Sequence, residues 1–281
     1  MSHPSLFGGA PRAAHLRGFL IIAVLQLLPF ADLMSQEHDD HDHDHDHLHF
    51  SHPMVTESPS PDTKFRLDYL GIRARDIIDL RESWVRLEGE YAFNRSVSLA
   101  IVTPYIWRTA PAAERANGIG NVEVSLKAAS LALGERDILL GGGLSAELPT
   151  GSDTNGIGSG HLVELEPFVD AGYKRKSLEL VGFVTLSTTI RRHVDEEAER
   201  NLTLDFSALY QFHPRLEGLI EVTSERALVG EESGSQQTFL APGLKVYPFP
   251  NRQFMFGASI ELGTGTAQDT RALLLSAFYH F

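Results

Sequence analysis

The chain has 281 residues, a hydrophobic content of 42%, a formal charge of −13 and no cysteine. The absence of thiols excludes a disulfide scaffold, thiolate metal sites and a lipid-modified cysteine anchor. So acidic a chain is also unsuited to binding the phosphates of nucleic acid, and we expect no nucleic acid among its partners.

Residues 1–35 have the features of a secretory signal peptide. Arg12 and Arg17 precede the short apolar run Gly18 to Pro29, and small or polar residues follow at Ala31 and Ser35. The run is too short to span a membrane as a helix, and there is no other long apolar run. We expect cleavage after Ser35, which removes two arginines and one aspartate and leaves a mature chain of charge −14.

Residues 36–52 form a low-complexity tail with seven histidines and six acidic residues. The tail has too little apolar surface to fold alone, so we predict that it is disordered. Imidazole nitrogens next to carboxylate oxygens favour divalent transition metals, here zinc, nickel, copper or cobalt. The alternative is a solvated segment that binds no metal. The candidate metal ligands are His38, His41, His43, His45, His47, His49, His52, Asp40, Asp42, Asp44 and Asp46.

Residues 53–63 are predicted to be a linker, which Pro59 and Pro61 keep extended. From residue 64 onward the pattern predicts strands joined alternately by tight turns and by longer polar loops. The twelve predicted strands are 64–73, 81–93, 96–108, 120–133, 137–149, 161–174, 177–190, 201–213, 215–228, 237–248, 253–264 and 271–281. This arrangement predicts an all-β fold, a transmembrane antiparallel up-and-down β-barrel over residues 64–281. Ten or fourteen strands are the alternatives, and an even count places the tail in the periplasm.

Side chains within the predicted strands alternate between apolar and polar. Leu204 and Phe206, for example, are expected on one face, and Asp205 and Ser207 on the other. A base facing lipid at mid-membrane would cost about 2–4 kcal/mol, so we predict that the charged series faces the lumen. A soluble β-sandwich or lipocalin-like barrel would alternate too, but with its apolar face inward.

The predicted lumen is strongly acidic. Carboxylates crowded in a narrow barrel need bases, water or bound cations around them. One interpretation is a closed barrel filled by a salt-bridge network, with Arg66, Arg86, Lys127, Lys174 and Lys245 as the bases. The other is a conduit that favours cations. The lumen-lining candidates are Glu88, Glu90, Glu123, Glu164, Glu166, Asp170, Asp205, Glu221 and Glu261.

The last strand distinguishes a membrane barrel from a soluble one. From Leu273 to Phe281 every second residue is apolar, and the chain ends on an aromatic side chain. This segment resembles the closing strand of bacterial outer-membrane barrels, whose terminal Phe carries an assembly signal. The resemblance implies a location in the outer membrane, with outer-membrane lipid and the barrel-assembly machinery as partners.

Three further segments carry a family resemblance: His52 to Pro59 (HPMVTESP), Gly118 to Val122 (GIGNV) and Glu147 to Gly151 (ELPTG). Over residues 52–281 the chain resembles the outer-membrane transporter family named for the MetA pathway of phenol degradation. Members more often have Gly-Asp where this chain has Gly120-Asn121. The resemblance implies a barrel that passes small molecules and carries no established catalytic residues.

These observations support three functional hypotheses. The first is an outer-membrane channel for small solutes, linked to divalent metal ions bound by the tail. The second is a closed barrel that acts as a metal-binding or adhesion module. The third is an outer-membrane enzyme with a Ser/His/acid set. None of the barrel histidines lies in a nucleophile motif, so we expect no catalytic residue, no enzyme activity and no required cofactor. These histidines are His161, His193, His213 and His280.

Overall fold

The computed structural model describes residues 49–74, 80–109, 115–133, 137–190, 199–230 and 233–281. The predicted signal peptide and residues 36–48 of the tail lie outside the described residues, as do the candidate ligands numbered 38 to 47. Among the residues that are described, no helix is long and apolar enough to cross a membrane.

The described strands form one closed antiparallel sheet. The strands are β1 (Lys64–Ala74), β2 (Leu80–Asn94), β3 (Val97–Thr109), β4 (Ala116–Ile119), β5 (Val122–Leu133), β6 (Ile138–Leu148), β7 (Val163–Arg175), β8 (Leu178–Ile190), β9 (Arg200–His213), β10 (Leu216–Val229), β11 (Gln236–Val246), β12 (Phe254–Thr264) and β13 (Thr270–His280). Both β4 and β5 pair with β3, so they are two parts of one interrupted strand. Pairing of β1 with β13 closes the sheet into a barrel of twelve strand positions.

The predicted all-β, twelve-stranded up-and-down barrel is therefore confirmed. Each predicted strand boundary agrees with the structure to within two residues. The one addition is β4, which lies in the connection between the predicted strands 96–108 and 120–133 and continues the pairing along β3. Alternation predicted the strands well because nearly every barrel strand has one face toward the lumen and one face outward.

The outward face of the barrel is apolar and the inward face carries the buried charged side chains, as a membrane barrel requires. On β1 the side chains of Lys64, Arg66 and Asp68 are buried inside. Phe65 and Leu67 on the same strand are exposed outside. A soluble barrel would show the reverse arrangement. The outer surface is thus suited to hydrocarbon, since a charged inward series is kept away from lipid.

The two ends of the barrel differ in the length of their connections. At one end, which we call the short-turn end, two-residue turns join β2 to β3, β7 to β8 and β9 to β10. At the opposite, long-loop end, β6 and β7 are joined by residues 149–162. Lys64 and His280 are paired at the short-turn end, so the barrel starts and finishes there. Residues 247–253 make the β11–β12 connection longer than predicted.

Residues 49–63, which we call the plug, lie inside the lumen at the short-turn end. Phe50, Met54, Thr56 and Ser58 have exposed fractions of 0%, 1%, 1% and 0%. The plug has no strand or helix, and its polar groups bond to inward side chains of the wall. The linker predicted for residues 53–63 thus occupies the interior of the barrel, and so do Phe50 and His52 from the end of the predicted tail.

Candidate functional site in the plugged lumen

All of the predicted lumen acids lie on inward positions of the wall. Seven of them are buried: Glu88, Glu90, Glu123, Glu166, Asp170, Glu221 and Glu261. The other two are half-buried and bonded to inward hydroxyl groups. Ser187 donates to Glu164, and Thr223 donates to Asp205 over 2.7 Å. The two-residue period of the strands separates lumen-facing from lipid-facing side chains. It therefore also places these carboxylates around one space.

A network of ion pairs occupies the part of the lumen next to β1 and β2. Lys64 Nζ lies 2.8 Å from Glu88 and 3.0 Å from Glu90. Arg66 Nε and Arg86 Nε lie 2.9 and 3.1 Å from the same Asp68 oxygen. Buried ion pairs need this kind of multiple contact to offset their desolvation. This side of the lumen is consequently close to neutral.

A cavity lies beside the plug, and the charged part of its lining is predominantly acidic. Eight carboxylates and two bases line the cavity: Glu57, Asp68, Glu88, Glu90, Glu123, Asp205, Glu225, Glu261, Arg86 and Lys127. Among the described residues, Oε1 of Glu261 has no hydrogen-bond partner, and neither carboxylate oxygen of Asp170 has one. Carboxylates so placed attract water and cations into the lumen.

Glu221 holds the middle of the plug. Its carboxylate accepts hydrogen bonds from the backbone N–H groups of Met54, Val55 and Thr56 at 3.0–3.1 Å. Ser207 Oγ adds a further bond of 2.8 Å. Three successive N–H groups facing one anion form a nest that favours negative charge. Glu221 was predicted as a lumen acid, but its role as a ligand for backbone N–H groups was not predicted.

Wall bases and acids bond to the rest of the plug backbone. Lys245 Nζ donates to the carbonyl of His52 over 2.9 Å, and Lys174 Nζ donates to that of His49 over 2.6 Å. The N–H of Ser51 donates to Glu179 over 2.7 Å. These contacts satisfy backbone groups that would otherwise be buried without a partner, which is what allows an irregular segment to sit inside the barrel.

Two apolar side chains anchor the plug in sockets of the wall. The Phe50 ring lies against Gly172, where an added Cβ would be 2.5 Å from Phe50 Cζ. Met54 lies against Gly257, where an added Cβ would be 2.6 Å from its sulfur. Both side chains belong to a buried apolar cluster with inward residues of the wall. Sequence reasoning missed this cluster, although Phe50 and the motif His52 to Pro59 were its available signal.

The last two histidines of the tail meet Asp62 at the short-turn end. Asp62 Oδ2 lies 3.0 Å from His52 Nε2, 3.6 Å from His49 Nε2 and 2.6 Å from His280 Nδ1. Burial and the charge of Lys64 hold the pKa of His52 well below its ordinary value. Burial alone would raise the pKa of Asp62, but hydrogen bonds from the three imidazoles bring it well below its usual range.

No catalytic triad forms at the histidines of the described barrel. His161 comes closest, but Asp153 and Ser159 both contact its Nδ1, at 3.1 and 3.4 Å. A triad needs the acid and the nucleophile on opposite ring nitrogens. His213 accepts a backbone hydrogen bond from Arg215. His193 lies outside the described residues.

The two glycine-containing motifs of the resemblance meet at the long-loop end. Asn121 Oδ1 accepts hydrogen bonds of 2.9 Å from the N–H groups of both Gly151 and Ser159. Thr150 Oγ1 accepts from the N–H of Val122 over 2.8 Å. These bonds fasten the base of the 149–162 loop to the start of β5. The motifs therefore shape a loop and do not form a nucleotide or metal site among the described residues.

Comparison with known proteins adds structural relatives. No protein-family model matches the sequence, and no curated protein matches it. An outer-membrane channel from Pseudomonas putida F1 aligns with a TM-score of 0.64 at 10% identity, over 79% of this chain and 96% of that chain. The NanC porin aligns with a TM-score of 0.53 at 11% identity, over 76% and 100%. The shared fold and the apolar outer surface define a transmembrane β-barrel.

Proposed function

We propose that this chain is an outer-membrane channel for small solutes, that its lumen favours cations and that the plug limits its conductance. The observation that carries the proposal is the cavity, in which Glu123, Asp205, Glu225 and Glu261 add carboxylates to those of the ion-pair network beside β1 and β2. Acidic rings in a pore concentrate cations and repel anions. The two structural relatives support the channel class, since one is described as an outer-membrane channel and the other as a porin.

The finer parts of the proposal rest on the sequence. The transporter family named for the MetA pathway is the proposed family, on the strength of the three motifs. The short-turn end is taken as periplasmic, so the tail lies in the periplasm and the barrel-assembly machinery recognises the C-terminal strand. The tail is proposed to bind zinc, nickel, copper or cobalt near the entrance.

A second candidate is a closed barrel that works through its tail and loops. The plug favours this alternative, because it occupies the short-turn half of the lumen and is bonded to the wall on several sides. An enzyme is the remote third candidate, and the geometry around His161 does not support it. Conductance separates a channel from a closed barrel.

The test is the current through the refolded mature chain in a planar bilayer, with potassium and chloride compared at low salt, where charges are least screened. We expect a preference for potassium. Glu261→Gln should weaken this preference, since it removes a cavity carboxylate whose Oε1 has no hydrogen-bond partner among the described residues. Asp269→Asn removes the same charge from an exposed turn and should leave selectivity unchanged.

A chloride preference would contradict the cation-favouring lumen. Current that is absent both from the parent chain and from a variant with a displaced plug would establish the closed barrel instead. The variant for that comparison is Glu221→Ala, because it removes the acceptor of three plug N–H groups.

A further inference from the structure

We propose that His49, His52 and Asp62 form a binding site for one divalent transition metal ion at the short-turn mouth of the barrel. One potential ligand atom from each residue lies within 4.8 Å of the others. The Nε2 atoms of His52 and His49 are 3.0 and 3.6 Å from Asp62 Oδ2. This site differs from the repetitive part of the tail, because Asp62 comes from the other end of the plug.

The two separations from Asp62 suit a tetrahedral ion. Metal–ligand bonds of about 2.0–2.2 Å place neighbouring tetrahedral ligands roughly 3.3–3.5 Å apart. The two distances from Asp62 to the histidines bracket that separation. Two imidazole nitrogens and one carboxylate oxygen are typical ligands of zinc, cobalt, nickel or copper, and they disfavour magnesium or calcium, which prefer oxygen alone. Water completes the coordination.

Two of the three ligands are already held in place by the barrel. Asp62 accepts the backbone N–H of Thr63 on Oδ1 over 2.8 Å and His280 Nδ1 on Oδ2 over 2.6 Å. The His52 ring packs against the rings of both Phe278 and His280, at centroid distances of 5.8 and 5.1 Å. A fixed second shell of this kind orients metal ligands and raises affinity. His49, the third ligand, is exposed at the start of the plug.

Lys64 determines which ring nitrogen of His52 carries the proton, and it keeps ion-pair partners when a metal binds. Lys64 has only donors and lies 3.2 Å from Nδ1 of His52, so in the metal-free chain the ring proton is on Nε2. Metal at Nε2 moves this proton to Nδ1 and ends the bond from Lys64. The lysine stays paired, because Glu88 and Glu90 hold it at 2.8 and 3.0 Å.

A bound ion would tie the two ends of the plug together. His49 and His52 begin the plug and Asp62 finishes it, so coordination closes this segment into a loop. A cross-link of this kind lowers the conformational entropy of the segment when it is undocked. It therefore favours the docked state. Metal binding does not depend on the proposed channel function, and it is measured without any current.

The experiment uses the mature chain with His38, His41, His43, His45 and His47 replaced by Asn, so that the repetitive part of the tail keeps no imidazole ligand. We expect one Co²⁺ per chain by calorimetry, with the visible absorption of tetrahedral cobalt. Asp62→Asn should weaken binding at least about tenfold, the lower end of the loss seen even for second-shell partners. His49→Ala should do the same, and its exposed side chain makes a folding defect avoidable.

The matched control is Asp153→Asn, which breaks a His–Asp contact of 3.1 Å with His161 in a distant loop. We expect this variant to bind Co²⁺ like its parent. The proposal is overturned if the chain without the five tail histidines binds no cobalt. It is overturned equally if Asp62→Asn and His49→Ala both bind as tightly as the parent. Failure of the channel would appear in the bilayer currents alone.

Discussion

Glu221 receives the backbone N–H groups of three successive plug residues, and the same carboxylate is fully buried in the wall of β10. Hydrogen bonds to a charged group contribute about 1.5–3 kcal/mol each, and a buried N–H left without an acceptor costs about 1–3 kcal/mol. One side chain therefore governs a large share of the docking free energy of the plug.

We expect Glu221→Ala to destabilise plug docking by roughly 3 kcal/mol or more, because three N–H groups lose their acceptor. The chain has no cysteine, so one introduced cysteine is the only thiol that a reagent can label. Ser58→Cys places that thiol at a fully buried plug position. Labelling by a membrane-impermeant thiol reagent should be slow in the parent and fast with Glu221→Ala, and the bilayer current should rise.

The control for this substitution is Glu225→Ala. Glu225 lies on the same strand and lines the cavity beside the plug. Its removal takes a charge from the lumen and leaves the three plug N–H groups with their acceptor, so Ser58→Cys should stay protected. Equal labelling of the two variants would show that Glu221 does not hold the plug.

The plug as an element is an irregular segment whose fit depends on glycines in the strands around it. Gly172 on β7 leaves room for the ring of Phe50, and Gly257 on β12 leaves room for Met54. Burying one large apolar side chain contributes about 1.5–3 kcal/mol. The two sockets thus hold apolar side chains of the plug, whereas the Glu221 nest holds backbone N–H groups of the same short segment.

Substituting Gly172→Ala is expected to expel Phe50 from its socket. The new Cβ would lie 2.5 Å from the ring, and overpacking of this kind typically costs about 1–3 kcal/mol. Faster labelling at Ser58→Cys is the readout, and Gly257→Ala should act in the same direction through Met54. In Gly182→Ala the new Cβ would be 4.0 Å from its nearest neighbour, so protection should be unchanged. Protection retained in both socket variants would contradict the anchoring role.

The whole barrel closes where its first and last strands meet. β1 pairs with β13 over the full length of both strands, and the N–H of Phe281 donates to the carbonyl of Thr63 over 3.1 Å. The Phe281 side chain is 60% exposed and contacts Phe65 and Tyr279. An aromatic so exposed adds little packing to the finished barrel, which is consistent with a role during assembly.

We expect Phe281→Ala to lower the amount of folded barrel inserted in the outer membrane of cells. Its effect on the refolded barrel should be about 1 kcal/mol or less, since the ring makes only surface contacts. Heat-modified electrophoretic mobility of the membrane fraction measures the first effect, and denaturant unfolding measures the second. Phe249→Ala removes another exposed aromatic at the short-turn end and should assemble normally. Equal insertion of the two variants would argue against a terminal assembly signal.

The strands, their number and the sorting of their two faces were predictable because each depends on local periodicity. Phe206 and Asp205 are adjacent in sequence and necessarily point to opposite sides of the wall. The sequence reasoning failed where a segment lacks such periodicity. By composition, residues 53–63 look like a linker. Nothing in their order indicates that Glu221, about 165 residues away, accepts their N–H groups.

The same distinction applies to the histidines. Composition indicated metal affinity along the tail, yet nothing in the sequence singled out Asp62 or His280 as neighbours of His52. Periodicity, charge and chain ends are local properties, and they were sufficient for the class of fold, the acidic lumen and the apolar outer surface. Closure of the barrel brings residues from opposite ends of the chain into contact. The docking of the plug, its glycine sockets and the contacts of His280 with His52 and Asp62 exist only through that closure, because their partners are distant in sequence and adjacent only in space.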